Sequence, residues 1–278
     1  MRPFLLWLFA AIVAGAVALE ATKYLVARGP VRRRNYRGLE LPATAGIGAV
    51  VGMLAGFAFI AVLHMLFPSS RMLAEGNQSG VYFLAAIAAF AFLGLWDDVA
   101  GTAAERGWRA HLDALAHGRA TAGAIKVLGE AAASLVIAGA IDRGFWWTVV
   151  DALVIALSAN AVNLLDKRPG RAGKWFILAA IGLMIVGGPT APGLAAAIGA
   201  VLLTLPYDLR ERAMLGDGGA NAMGALIGVA TVIDSTHTFR LVALLLLALV
   251  TAAGARPGLS KVIDSVGPLR RFDSAGRV

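Results

Sequence analysis

Four acids in this sequence stand where acids are expensive. Asp166 closes the string Asn160-x-x-Asn163-Leu164-Leu165-Asp166 at the end of an apolar run. At about 100° per residue, a spacing of three keeps Asn160, Asn163 and Asp166 within roughly 120° of one another on one helix face. Amides and a carboxylate in the last turns of a hydrophobic helix are costly in lipid, so a bundle would turn them toward a polar cavity. The plainer reading is a helix leaving the membrane. Asp97 and Asp98 end another apolar run, with Gly101 three residues on. Adjacent carboxylates can bind Mg²⁺, or one can act as a base while the other holds a cation; two solvated acids at a helix end would look the same. The fourth acid lies in Leu215-Gly216-Asp217-Gly218-Gly219-x-Asn221. Glycines around it let backbone approach a phosphate or metal closely, or simply make a turn.

A further polar stretch, residues 35–48, holds Pro42-x-Thr44-x-Gly46. Pro42 is expected to start a helix whose N-terminus could hold an anion, or merely to initiate it. His111 and His117 read as solvated loop histidines, and His64 and His237 as structural ones, because no metal-ligand spacing links them.

The elements that must position these groups are apolar. Of 278 residues, 59% are hydrophobic and 15% charged, against about 45–50% and about 25% in a soluble domain. The fold class expected is all-α, a polytopic membrane helix bundle. Apolar segments cover residues 4–26, 43–67, 81–96, 123–141, 145–165, 175–186, 191–205, 220–233 and 241–253. Spanning takes about 20 residues, which the first five reach or nearly reach; the last four are short, and counting them the expectation is about nine transmembrane helices. The first run is too long for a signal-peptide core and lacks a convincing cleavage site, so it reads as the first span. Without cysteine there are no disulfides and no thiolate metal sites. Glycine and alanine within the helices permit close packing. No tandem repeat is visible.

With the N-terminus outside, only Arg2, Arg71, Arg143 and Arg240 of the 25 lysines and arginines fall in outer segments. The rest cluster inside, among them Arg28, Arg32, Arg33, Arg34 and Arg37; Arg106, Arg109 and Arg119; Lys167, Arg168, Arg171 and Lys174; and Arg256 through Arg277. This asymmetry predicts a cytoplasmic C-terminus and a plasma-membrane location. It also accounts for the formal charge of +8 without a nucleic-acid partner. A basic inner face suits anionic lipid head groups and anionic substrates. Residues 1–254 form the expected transmembrane domain and 255–278 a basic cytoplasmic tail. All four acids then share the inner face.

Together these segments resemble the polyprenyl-phosphate N-acetylhexosamine-1-phosphate transferase superfamily, over roughly residues 30 to 230. Its Pro-Thr segment is similar to Pro42 to Gly46, its Asp-Asp pair to Asp97-Asp98, its Asn-x-x-Asn-Leu-x-Asp string to Asn160 to Asp166, and its Gly-Asp segment to Gly216-Asp217. Four features depart from it. Lys167 stands where Gly is usual, and Ala220 where Ser is usual. The chain lacks the lysine found near the first segment, and has no His-x-His motif after His237.

The resemblance implies transfer of a sugar 1-phosphate from a UDP-N-acetylhexosamine or UDP-MurNAc-peptide to undecaprenyl or another polyprenyl phosphate. UMP is released at the cytoplasmic face, in cell-envelope glycan synthesis. It implies Mg²⁺ as cofactor, with Asp217 as its ligand. Asp97, Asp98 and Asp166 are the implied catalytic residues: Asp97 as a base toward the acceptor phosphate or its orienter, Asp98 supporting metal or substrate, and Asp166, with Asn163, positioning the nucleotide-sugar or the metal shell. Asn160 lies behind them. Lys126, Lys167 and Arg171 are the candidate phosphate partners. Membrane lipid surrounds the chain, and a homodimer is allowed. The alternative is a member without chemistry that serves as a lipid-phosphate-binding or partner subunit. A cation-coupled transporter is disfavoured, because its acids would sit near mid-membrane.

Overall fold

Seven helices in the computed structural model are long and apolar enough to cross a membrane. It describes residues 3–29, 31–101, 121–142, 144–254 and 258–277, with Ala114 and His117. Arg2, Arg106, Arg109, His111, Arg119, Arg143 and Arg256 lie outside the described residues. The elements are α1 (Pro3–Arg28), β1 (Arg32–Arg34), β2 (Glu40–Pro42), α2 (Ala45–Leu66), α3 (Arg71–Ala100), α4 (Ala122–Ile141), α5 (Phe145–Leu165), α6 (Arg171–Val186), α7 (Ala191–Leu209), α8 (Gly216–Asp234), α9 (His237–Gly254), α10 (Gly258–Ser265) and α11 (Gly267–Ser274). The chain is an all-α, multi-pass membrane protein with a single antiparallel strand pair among the described residues.

Each of the nine expected apolar segments forms a helix, and all but α6 and α8 reach spanning length and apolarity. At 16 residues, α6 is about 24 Å long, short of the roughly 30 Å hydrocarbon core. α8 is rich in glycine and carries Asp217 and Asn221; residues 218–226 are all buried. It packs between α3 and α5, while α1, α2 and α7 pack together beside it. Protein rather than lipid surrounds α8, so its low apolarity costs little. By contrast α9 turns Leu241, Val242, Leu245, Leu246 and Leu249 outward, as a helix bordering lipid does.

Two boundaries differ from expectation. α3 begins at Arg71 rather than near residue 81. Its polar first turns are held by the Arg71–Glu75 pair at 2.7 Å and by Ser79, whose hydroxyl donates to the Pro189 carbonyl at 3.0 Å. Pro42 does not start α2; it ends β2, opposite Arg32. Proline is tolerated at a ladder end because the missing N–H has no partner to lose. Nor does the α2 N-terminus await an anion: the amides of Ala45 and Gly46 donate to the carbonyls of Met214 and Leu215, at 3.1 and 3.0 Å.

At one face of the bundle the C-terminal ends of α3, α5 and α7 meet the N-terminal ends of α4, α6 and α8: Asp97 lies by Lys126, Asn163 by Asp217, and Asp208 by Gly170. The β1–β2 pair lies there too.

Candidate active site

The centre of this face is the first turn of α8. Gly216 has φ +78°, a left-handed conformation that glycine adopts without strain; it turns the chain so that Asp217 opens the helix. Gly94 of α3 lies against this turn, where a Cβ would come 2.5 Å from the Asp217 carbonyl oxygen. That close approach brings the C-terminal turn of α3, with Asp97 and Asp98, beside Asp217. Lys126, from the first turns of α4, reaches between them. Its Nζ lies 2.5 Å from Asp217 Oδ2 and 3.6 Å from Asp97 Oδ2. Asn163 of α5 donates to the same Asp217 oxygen at 3.3 Å.

Asp98 faces the other side of the turn. It is buried, accepts from the Gly218 amide at 3.2 Å, and pairs with Arg33 at 3.5 Å. Arg33 also donates to the Asp97 and Asp98 carbonyls at 2.7 and 2.6 Å. A cation there satisfies the exposed carbonyls and the negative end of α3. Asp166 lies just past α5. Burial, then the charges of Asp208, Asp217 and Asp98, push its carboxyl well above the ordinary carboxylate range, against the opposing pull of the Gly216 amide. Asp166 also lines a cavity of about 430 Å³ with Arg34, Tyr36, Lys167, Arg168 and Asp208. The Arg168 guanidinium lies over the Tyr36 ring, 4.7 Å from its centroid.

The structure thus brings Asp97, Asp98, Lys126, Asn163 and Asp217 together, with Asp166 within electrostatic reach and Lys167 on the cavity wall. Asn160 stands back, donating to Thr251 Oγ1 of α9 at 3.0 Å. Arg171 must be corrected as a phosphate partner. It is 1% exposed, and its guanidinium is taken by Asp273 and Ser260 from the C-terminal helices. All three of its guanidinium nitrogens are engaged by the C-terminal helices, which leaves none turned toward a phosphate.

Reading the sequence missed three acids. Glu130 is buried one turn beyond Lys126, with one carboxyl oxygen unpartnered; its i,i+4 spacing from Lys126 was the available signal. Asp208, in the last turn of α7, accepts from the Gly170 amide at 2.8 Å; it too is an acid ending an apolar run. Glu211, at φ 51°, accepts from Asn35 at 2.8 Å and pairs with Arg37 at 3.2 Å; nothing local in the sequence signals that contact.

The donor set suits a hard cation, since every acid here offers carboxylate oxygen and no thiolate is present. Among the described residues, no three His, Asp or Glu converge as a ready metal cage. Asp97 and Asp217, both beside Lys126 Nζ, are the two carboxylates that could share an ion; Mg²⁺ commonly takes one or two, with phosphate or water completing its shell.

The fold thus defines a multi-pass membrane helix bundle with facing acids and a lysine at one end, next to a cavity lined by three cations and three acids. Comparison with known proteins makes the class definite. Residues 80–235 match the family model of glycosyl transferase family 4, and the chain belongs to that family, as the motifs anticipated. It is also 29% identical over 227 residues to a phospho-N-acetylmuramoyl-pentapeptide-transferase of Desulforudis audaxviator (strain MP104C), covering 74% of this chain and 67% of that protein.

Proposed function

We propose that the protein transfers a sugar 1-phosphate from a UDP-N-acetylhexosamine, or a UDP-MurNAc-peptide, to a polyprenyl phosphate at the cytoplasmic membrane face, in cell-envelope glycan synthesis. An acceptor phosphate oxygen attacks the sugar-bearing phosphorus of the donor; the bond to UMP breaks, and UMP leaves. The observation that carries this reading is Lys126 seated between Asp97 and Asp217. Two polyanions must meet for this reaction, and their charge must be offset without water. Asp217, with Asp97 nearby, would hold Mg²⁺, which when bound supplies charge neutralisation on the donor diphosphate.

Lys126 orients the carboxylates and offers a cation to an entering phosphate. Asn163 fixes Asp217. Asp98, pinned by Gly218 and Arg33, holds the end of α3 in place. The cavity beside Asp166 is of a size usual for small ligands, about 300–1,000 Å³. Its wall carries Arg34, Lys167 and Arg168 as phosphate partners, with Tyr36 and the acids Asp166, Asp208 and Glu211 left to meet the base and ribose of the donor nucleotide. The match to the family and to a relative named as a phospho-N-acetylmuramoyl-pentapeptide-transferase supports the same reaction class.

The test is UMP release from a panel of UDP-sugars with undecaprenyl phosphate, with and without Mg²⁺. Product should form with at least one donor, and only with the cation. Asp217→Asn should abolish it. Failure of folded protein to turn over any donor would favour the lipid-phosphate-binding subunit instead.

A further inference from the structure

The end of the chain is bonded to the loop that carries Asp166. Asp273 of α11 is 2% exposed and takes Arg171 in a two-point grip, Nε to Oδ1 at 2.7 Å and Nη2 to Oδ2 at 2.8 Å. Such paired, planar contacts are among the strongest side-chain interactions available. Arg277 adds a second cation to Asp273 Oδ1 at 2.7 Å, and its Nε donates to the carbonyl of Pro169 at 2.7 Å. Lys174, one turn into α6, caps the end of α11 by donating to the carbonyls of Phe272, Asp273 and Ala275. Trp175 and Phe272 meet edge to face, 5.4 Å between centroids. On the other side of the loop, Lys167 donates to the Gly254 carbonyl at 3.3 Å, and the Gly170 amide to Asp208 at 2.8 Å.

Residues 166–169 of this loop line the cavity assigned to the donor. The loop is thus held from outside by α11 and from within by Asp208. Nothing about α10 and α11 suggests a span: they are eight residues each.

We propose that Asp273 and Arg171 are positioning residues, through which the docked C-terminal helices set the shape of the donor cavity and hence donor affinity. This rests on the transferase reading given above. A loop released by about 1 Å loses the alignment of Lys167 and Arg168 with a bound nucleotide diphosphate, while the cluster on α3, α4 and α8 stays in place.

Two measurements on full-length protein in detergent test this: hydrogen exchange of residues 166–171, and steady-state kinetics with each substrate varied in turn. In Asp273→Asn, exchange should rise by about tenfold or more in that loop and stay unchanged in α2, α3 and α8. Donor KM should rise by about tenfold, with acceptor KM and kcat within about twofold. Asp273→Glu should restore both readouts, and Arg277→Ala should give a smaller shift in the same direction. Unchanged loop exchange, a rise spread equally over the whole bundle, or equal changes in both KM values would overturn the proposal. If the wild-type protein turns over no UDP-sugar, the transferase reading fails. In that case nucleotide diphosphate binding, compared between wild type and Asp273→Asn, decides whether the tail sets the cavity.

Discussion

Replacing Gly94 by alanine tests how the site is assembled more sharply than removing any of its charges. A Cβ at Gly94 would lie 2.5 Å from the Asp217 carbonyl oxygen, 2.6 Å from its carbonyl carbon and 2.7 Å from Gly218 Cα. All three are backbone atoms and cannot rotate away. Comfortable contact begins near 3.5 Å, so α3 and α8 must part by about 1 Å. Overpacking of this kind costs about 1–3 kcal/mol, while alanine gains back up to about 1 kcal/mol of helix propensity. Gly80→Ala on the same helix supplies the control, because a Cβ there meets nothing within 4 Å and gains the same propensity. The difference in stability between the two variants then isolates the clash. The displacement falls between Asp97 and Asp217, so UMP release in Gly94→Ala should drop by about 10²-fold. Gly80→Ala should stay near wild type. Melting temperature in one detergent and initial rate with saturating substrates are the assays. Equal melting and equal rates for the two variants would refute the claim that this helix contact sets the carboxylate spacing.

Lys126→Met should leave Asp97 and Asp217 without their shared counter-charge. A charge-assisted hydrogen bond contributes about 1.5–3 kcal/mol, so kcat/KM should fall by about 10- to 100-fold; an unchanged value would remove Lys126 from the site. At the opposite end of the bundle, Arg240 pairs with the fully buried Asp151 at 2.9 Å. Arg240→Met strands that carboxylate and should destabilise the protein by about 3–5 kcal/mol, with the KM values of the surviving folded fraction unchanged. Tail docking should resist mild acid. Burial works to raise the Asp273 carboxyl, but bonds from Arg171 and Arg277 more than offset it and hold it below the usual range. A group depressed in the folded state stabilises above its unfolded pKa, near about 3.9, and loses that contribution only as pH falls through the folded value. Protease sensitivity of the C-terminal helices should therefore be flat from about pH 7 to about 5 and rise only below about 4; release near pH 6 would contradict the assignment.

Much of this was legible in the residues themselves. Hydropathy marked all seven helices long and apolar enough to cross a membrane, because a helix that borders lipid must carry apolar side chains through the hydrocarbon core. The acids were legible for the opposite reason: Asp97, Asp98, Asp166 and Asp217 are costly at the ends of apolar runs, so their presence there signals use. Distances between them were not legible. They depend on Gly94 meeting the Asp217 backbone, and nothing in a one-dimensional string says which glycine faces which turn. The same holds for charge. Composition counts Arg171, Lys126 and Arg33 alike as cations on an inner face, yet tertiary packing buries the first against Asp273, threads the second between two carboxylates and spends the third on the end of α3. Sequence determines which side chains cost free energy in a membrane; only the fold decides which partners offset that cost, because partner choice is set by long-range contacts between helices far apart in the chain.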